Sequence, residues 1–152
     1  MLAAVYLCLI YNASLGNHAA ARGWMARAAT LLRENELAPL AGWVQLCRAA
    51  VATDTGDPRQ AEAWASEARE AARRFADADL ELCALSELGA ALVALGRVEE
   101  GASLLDEAMA GALGGEAANL DTVVLTCCRT VTSCSRAAEV RRAALGGRGR
   151  RA

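Results

Sequence analysis

Residues 55–72 read TGDPRQAEAWASEAREAA, and the same grammar stands forty residues earlier as LGNHAAARGWMARAATLL (15–32) and forty later as LGRVEEGASLLDEAMAGAL (95–113). The three segments align without a gap on Gly16, Gly56 and Gly96. Five residues past each glycine stands Ala21, Ala61 or Gly101; eight past it Trp24, Trp64 or Leu104; twelve past it Ala28, Ala68 or Ala108. Small, large, small at steps of three and four places these side chains on one helical face. Each glycine suits the left-handed backbone that closes a helix, and the residues after it open the next. In Asp57-Pro58-Arg59-Gln60 the aspartate can cap the free amides, the proline fits the first helical position, and Gln60 completes a capping box.

Working outward, the spacing predicts helices near 2–15 and 17–34, 38–54 and 58–75, 78–94 and 97–112, then 120–134 and 137–145. They pair into units of about forty residues, 1–36, 37–76, 77–116 and 117–145. Small residues at the +5 and +12 positions let the two helices of a unit approach closely, with the +8 residue as the knob between them. The expected fold is all-α, an α-solenoid of helix-turn-helix hairpins. The fourth unit departs from the pattern: Ala138 stands where the turn glycine belongs, Ala143 keeps the small position, and Gly146 replaces the large one. An incomplete last hairpin and a disordered basic tail over 146–152 are expected, as in a truncated piece of a longer array.

Composition agrees. Of 152 residues 37 are alanine, the best helix former, and 55% are hydrophobic but only 4% aromatic, which excludes a disordered or all-β chain. Charge is uneven: residues 1–121 hold 9 arginines against 17 acids, residues 122–152 hold 7 against 1. The opening MLAAVYLCLI is apolar, but it is too short to span a bilayer and no arginine precedes it, so a buried helix is expected. The cysteines, Cys8, Cys47, Cys83, Cys127, Cys128 and Cys134, lack the pairing of a disulfide scaffold and fit a reducing cytoplasm.

Leu85, Leu88, Gly89, Leu92, Gly96, Gly101, Leu105 and Ala108 resemble the tetratricopeptide-repeat pattern, with leucine at its aromatic positions. The period exceeds the usual length of that repeat, and HEAT and armadillo units lie nearer forty. From Gly16 through Ala143 the chain is similar to the helical-repeat region of actinobacterial LuxR-type transcriptional regulators. That resemblance implies an interaction or sensory module, with DNA binding left to a helix-turn-helix domain that these residues do not contain.

Candidate chemistry is sparse. Cys127, Cys128 and Cys134 offer thiolates for a redox or metal sensor, yet only Cys127 and Cys134 share a helical face and no histidine accompanies them. His18 lies at a helix start without a nucleophile or acid partner and reads as a surface residue. Glu99-Glu100 and Asp106-Glu107 fit the solvated face of an amphipathic helix. The glycines of GALGG (111–115) lack the Gly-Lys-Ser/Thr of a phosphate loop. Arg141, Arg142, Arg148, Arg150 and Arg151 could meet nucleic acid phosphates, without a recognition helix to add specificity. No enzyme, cofactor or metal is expected. The reading is a non-catalytic module for a protein partner or self-association, with no role in a membrane. Trp43, an aromatic on a first helix without a repeat equivalent, is the candidate partner contact. Trp24 and Trp64, at equivalent positions, are expected to be structural.

Overall fold

The computed structural model describes residues 1–35 and 37–148, apart from the side chains of 140, 141 and 143–148. Among the described residues the chain is all-helical and holds no strand. Helix α1 (Leu2–Leu9) runs into a π-helical turn, Ile10–Ser14; α2 spans His18–Glu34; a 3-10 turn, Ala38–Leu40, leads into α3 (Ala41–Thr55). Then follow α4 (Pro58–Phe75), α5 (Ala78–Ala94), α6 (Val98–Leu113) and α7 (Leu120–Arg148). Among the described residues no helix is long and apolar enough to cross a membrane.

The turn glycines behave as their positions demand. Gly16, Gly56 and Gly96 take φ of +59°, +90° and +84°, where a side chain would be strained. After Gly56 and Gly96 the next amide reaches back to close the helix, Asp57 N–H to Ala52 O and Arg97 N–H to Leu92 O, each at 2.9 Å. Side-chain caps open the following elements: Asn17 Oδ1 accepts from Ala20 N–H, Asp57 Oδ1 from Gln60 N–H and Asp77 Oδ1 from Leu80 N–H. Ala76, without a glycine's freedom, ends α4 in the left-handed region at φ +53°.

Packing follows the seams. Ala21, Ala61, Ala28, Ala68 and Ala108 have no exposed surface, and Gly101 is buried. At Gly101 the approach is so close that a Cβ would stand 2.5 Å from Gly89 O, so α5 and α6 touch backbone to backbone. Helix α4 buries only Ala61, Ala65, Ala68 and Ala72, a single stripe, whereas α5 is buried on nearly every face. The difference lies in the neighbours. Helix α5 meets α3, α4, α6 and α7; α3 meets α1, α2, α4 and α5. The odd-numbered helices thus pack in order, α1 on α3, α3 on α5 and α5 on α7, while each even-numbered helix packs against the odd ones on either side of it in sequence.

Two expectations need correction. The fourth unit is no hairpin, because α7 runs unbroken from Leu120 to Arg148 through the expected turn. Residues 129–145 contain neither glycine nor proline, so nothing there favours a left-handed residue or interrupts the backbone bonds. The same helix carries three residues into the stretch expected to be a disordered tail, while residues 149–152 lie outside the described residues. The junction before α7 is tied down as well. Asp79, buried at the start of α5, accepts from the Ala118 and Asn119 amides at 3.0 and 3.3 Å and from Asn119 Nδ2 at 2.5 Å.

Candidate functional site

The odd-numbered helices pack on the even ones with one side and on one another along their length. Together α1 with its π turn, α3, α5 and α7 border an open groove of about 750 Å³. Its walls are chiefly apolar, with Tyr6 and Leu9 from α1, Leu46 from α3, and Val124 and Leu125 from α7. Ile10, Val124 and Val131 stand at its margin, 46%, 51% and 65% exposed.

One side of the groove is polar. Arg129 of α7 donates from Nη1 and Nη2 to Asp54 Oδ1 and Oδ2 of α3 at 2.8 and 3.2 Å, and from Nε to Glu87 Oε1 of α5 at 2.7 Å. Asn12, in the π turn, donates from Nδ2 to Asp54 Oδ2 at 2.6 Å and to Ala50 O at 3.2 Å. With Nδ2 so engaged, Asn12 Oδ1 accepts from His18 Nδ1 at 2.9 Å. The network links the π turn, α2, α3, α5 and α7 through five side chains.

Two carboxylates share one guanidinium here, and they sit in little solvent: the side chains of Arg129, Glu87 and Asp54 are 8%, 8% and 17% exposed. Glu87 Oε2 is buried without a hydrogen-bond partner. Burial pushes the Glu87 carboxyl up to about 7; Arg129 pulls it back down, and the Asp54 charge adds to the rise. Burial alone works against the Arg129 charge, but the Glu87 and Asp54 carboxylates outweigh it and raise the guanidinium above the ordinary arginine value. Near neutral pH the cluster therefore sits between one uncompensated negative charge and a bound proton.

The residues singled out from sequence fall elsewhere. Trp43 is only 4% exposed and does not line the groove: its indole Nε1 donates to Asp77 Oδ2 at 2.8 Å and its ring lies 6.3 Å from that of Tyr6. The indole is thus enclosed between helices rather than offered to a partner, and the candidate contacts pass to the groove margin. Trp24 and Trp64 are half-buried knobs packed against the two core clusters. His18 is half-buried rather than free on the surface, held by Asn12.

Cys8 and Cys47 meet in the core, but the three thiols of α7 do not converge. Cys8, Cys47 and Cys83 are buried, and burial first, with the Glu87 charge next, pushes the Cys83 thiol up to about 12. Cys127 and Cys128 border the groove, Cys127 Sγ lying 3.4 Å from Met109 Sδ, while Cys134 is exposed elsewhere on α7. Among the described residues no three His, Cys, Asp or Glu side chains converge as metal ligands do. Glu100 pairs with Arg97, which also reaches Glu62 at 2.7 Å, so this acid ties α6 to α4 on the surface. In GALGG, Glu116 N–H returns to Gly111 O at 3.1 Å and Gly115 takes φ +92°, a helix ending. Arg150 and Arg151 lie outside the described residues, as do the side chains of Arg141 and Arg148.

Sequence reading missed Asn12, Asp54, Glu87 and Arg129. A signal existed for two of them: Glu87 is the one charged residue between Glu81 and Arg97, and Arg129 the one between Asp121 and Arg136. Lone opposite charges in two apolar stretches point to each other when both stretches must be buried. No protein-family model, curated protein or solved structure matches the chain.

Proposed function

We propose that the chain is a non-catalytic binding module, a tetratricopeptide-like α-solenoid of about forty-residue units, from the repeat region of a LuxR-type transcriptional regulator. The groove is its binding face, occupied by a protein partner or a second copy of the chain. What carries this reading is the chiefly apolar groove bordered by four successive odd-numbered helices, with Ile10, Val124 and Val131 exposed at its edge. Exposed apolar side chains grouped at one concavity are the signature of an interaction surface. The in-order packing of α1, α3, α5 and α7 supports the solenoid reading. The repeat glycines and the LuxR-like segments support the family reading.

The test is light scattering across a range of chain concentrations, with Val124→Asp and Val131→Asp as variants. Both side chains are largely exposed, so the substitutions leave the core intact. Concentration-dependent assembly that either charge abolishes supports the module. A chain that stays monomeric and captures no partner, or assembly indifferent to both charges, removes the groove from the reading. Binding of nucleic acid through the arginine-rich end remains a separate proposal. It predicts a salt-sensitive mobility shift that deletion of residues 146–152 abolishes.

A further inference from the structure

The geometry points to the groove as a site for an organic cation with an apolar body, an alkyl- or arylalkyl-ammonium, whose head lies against the Asp54–Arg129–Glu87 cluster. This rests on the groove being a binding face and goes beyond the proposed module, giving the same groove a small-molecule occupant besides a protein one.

Three observations converge. The volume, about 750 Å³, falls in the range of roughly 300–1,000 Å³ typical of small-molecule sites. The walls offered by Tyr6, Leu9, Leu46 and Leu125 suit a hydrocarbon body. The polar side is unbalanced: two carboxylates meet one guanidinium, and Glu87 Oε2 has no hydrogen-bond partner. The sign of the ligand follows from how Arg129 is used. Three of its five N–H donors, one on each nitrogen, already go to carboxylates, so an anion entering the groove meets a guanidinium largely neutralised and two like charges beside it. A cation meets the excess charge. The other charged residues lining the groove are Asp121 and Arg136, one of each sign.

Glu87 Oε2 is covered by its neighbours, so the head first meets the more exposed Asp54 and the field of both carboxylates. Because burial favours the proton on Glu87, the cation and that proton compete, and binding strengthens with rising pH.

Three probes of equal chain length separate head-group charge from hydrophobicity: octylammonium, 1-octanol and octanoate, titrated calorimetrically into the full chain at pH 8. Octylammonium is expected to bind at least about tenfold more tightly than octanoate, weakening toward pH 5.5. Glu87→Gln is expected to lower its affinity about tenfold and leave that of 1-octanol unchanged. Ala13→Trp, at an exposed position lining the groove, is expected to abolish binding of all three. Octanoate binding as tightly as the amine, equal affinities for all heads, binding that survives Ala13→Trp, or no saturable binding overturns the inference. Should Glu87→Gln fail to fold, the pH profile of the unsubstituted chain decides: affinity flat or falling between pH 5.5 and 8 overturns it. Assembly sensitive to Val124→Asp alongside absent amine binding sinks this inference and leaves the proposed module standing.

Discussion

Replacing Glu87 by glutamine isolates the energetics of the buried cluster. The substitution keeps the shape of the side chain and the oxygen that Arg129 Nε uses, while removing the titration. In the native chain burial lifts this carboxyl from 4.5 to about 7. Between those values the folded chain holds a proton that the unfolded chain has released, so stability falls as pH rises through the window and levels off above it. At about 1.4 kcal/mol for each pH unit, the loss across the window is roughly 3 kcal/mol. Glutamine shows no such loss. The stability of the native chain relative to Glu87→Gln should therefore decline by about 3 kcal/mol from pH 4.5 to pH 8, or roughly 6–12 °C in Tm at this chain length. Urea and thermal unfolding followed by circular dichroism, at constant ionic strength, measure this. Taking the difference between the two proteins cancels the titrating groups that do not interact with Glu87. A difference that stays flat, or that moves in the native chain's favour as pH rises, would show Glu87 ionised throughout and held by Arg129, and the account of the cluster would fail.

Arg129→Leu leaves the buried Glu87 and half-buried Asp54 carboxylates without their cation and should cost about 3–5 kcal/mol at pH 7.5 in urea unfolding, with much of the loss recovered by adding Glu87→Gln. Ala76→Gly relieves a left-handed alanine at the end of α4 and should raise stability by about 1 kcal/mol, seen as a higher Tm; an unchanged or lower Tm would count against strain there. Gly101→Ala drives a methyl against Gly89 O and the Val93 backbone and should destabilise by about 1–3 kcal/mol, whereas Ala102→Ser beside it should be nearly neutral. Asp77→Ala removes both the cap on Leu80 N–H and the acceptor for the Trp43 indole, so a loss of about 2 kcal/mol should accompany a change in tryptophan fluorescence.

The hairpin grammar was legible because it depends on backbone freedom and side-chain size. Gly56 and Gly96 are needed where φ is positive, and Ala61, Ala68 and Ala108 where two helices leave no room, so spacing alone locates the turns and the seams. The even-numbered helices were also legible, since α4 buries one stripe and repeats it at helical period. Helix α5 shows less of itself. Enclosed by four other helices, it has no polar face to contrast with, and Glu87 stands out only as a lone charge in an apolar run, its partner unnamed until Arg129 is known to stand beside it. That pairing joins residues 42 apart through tertiary packing, and no local rule reports it. The burial of Trp43 escapes sequence reading for a related reason. A first helix does present one side to the groove, but position along the helix decides which side a residue occupies, and the Asp77 acceptor that draws the indole inward belongs to the following unit. The continuous α7 was readable in principle from the absence of glycine and proline over 129–145, a local signal outweighed by the expectation that the repeat would go on.

The π turn at Ile10–Ser14 amounts to an inserted residue. Where Asp57 and Arg97 each bond back five positions to close a helix, Asn17 bonds back six, to Tyr11 O at 2.8 Å. The surplus lies upstream of Gly16, which is why the spacing of the three glycines never betrays it. Deleting one codon within this turn would restore ordinary winding, yet it would swivel everything before it by about 100°. Val5, Cys8 and Leu9 would then rotate out of contact with α3, and the first helix would lose its seat for want of a residue that regular geometry calls superfluous.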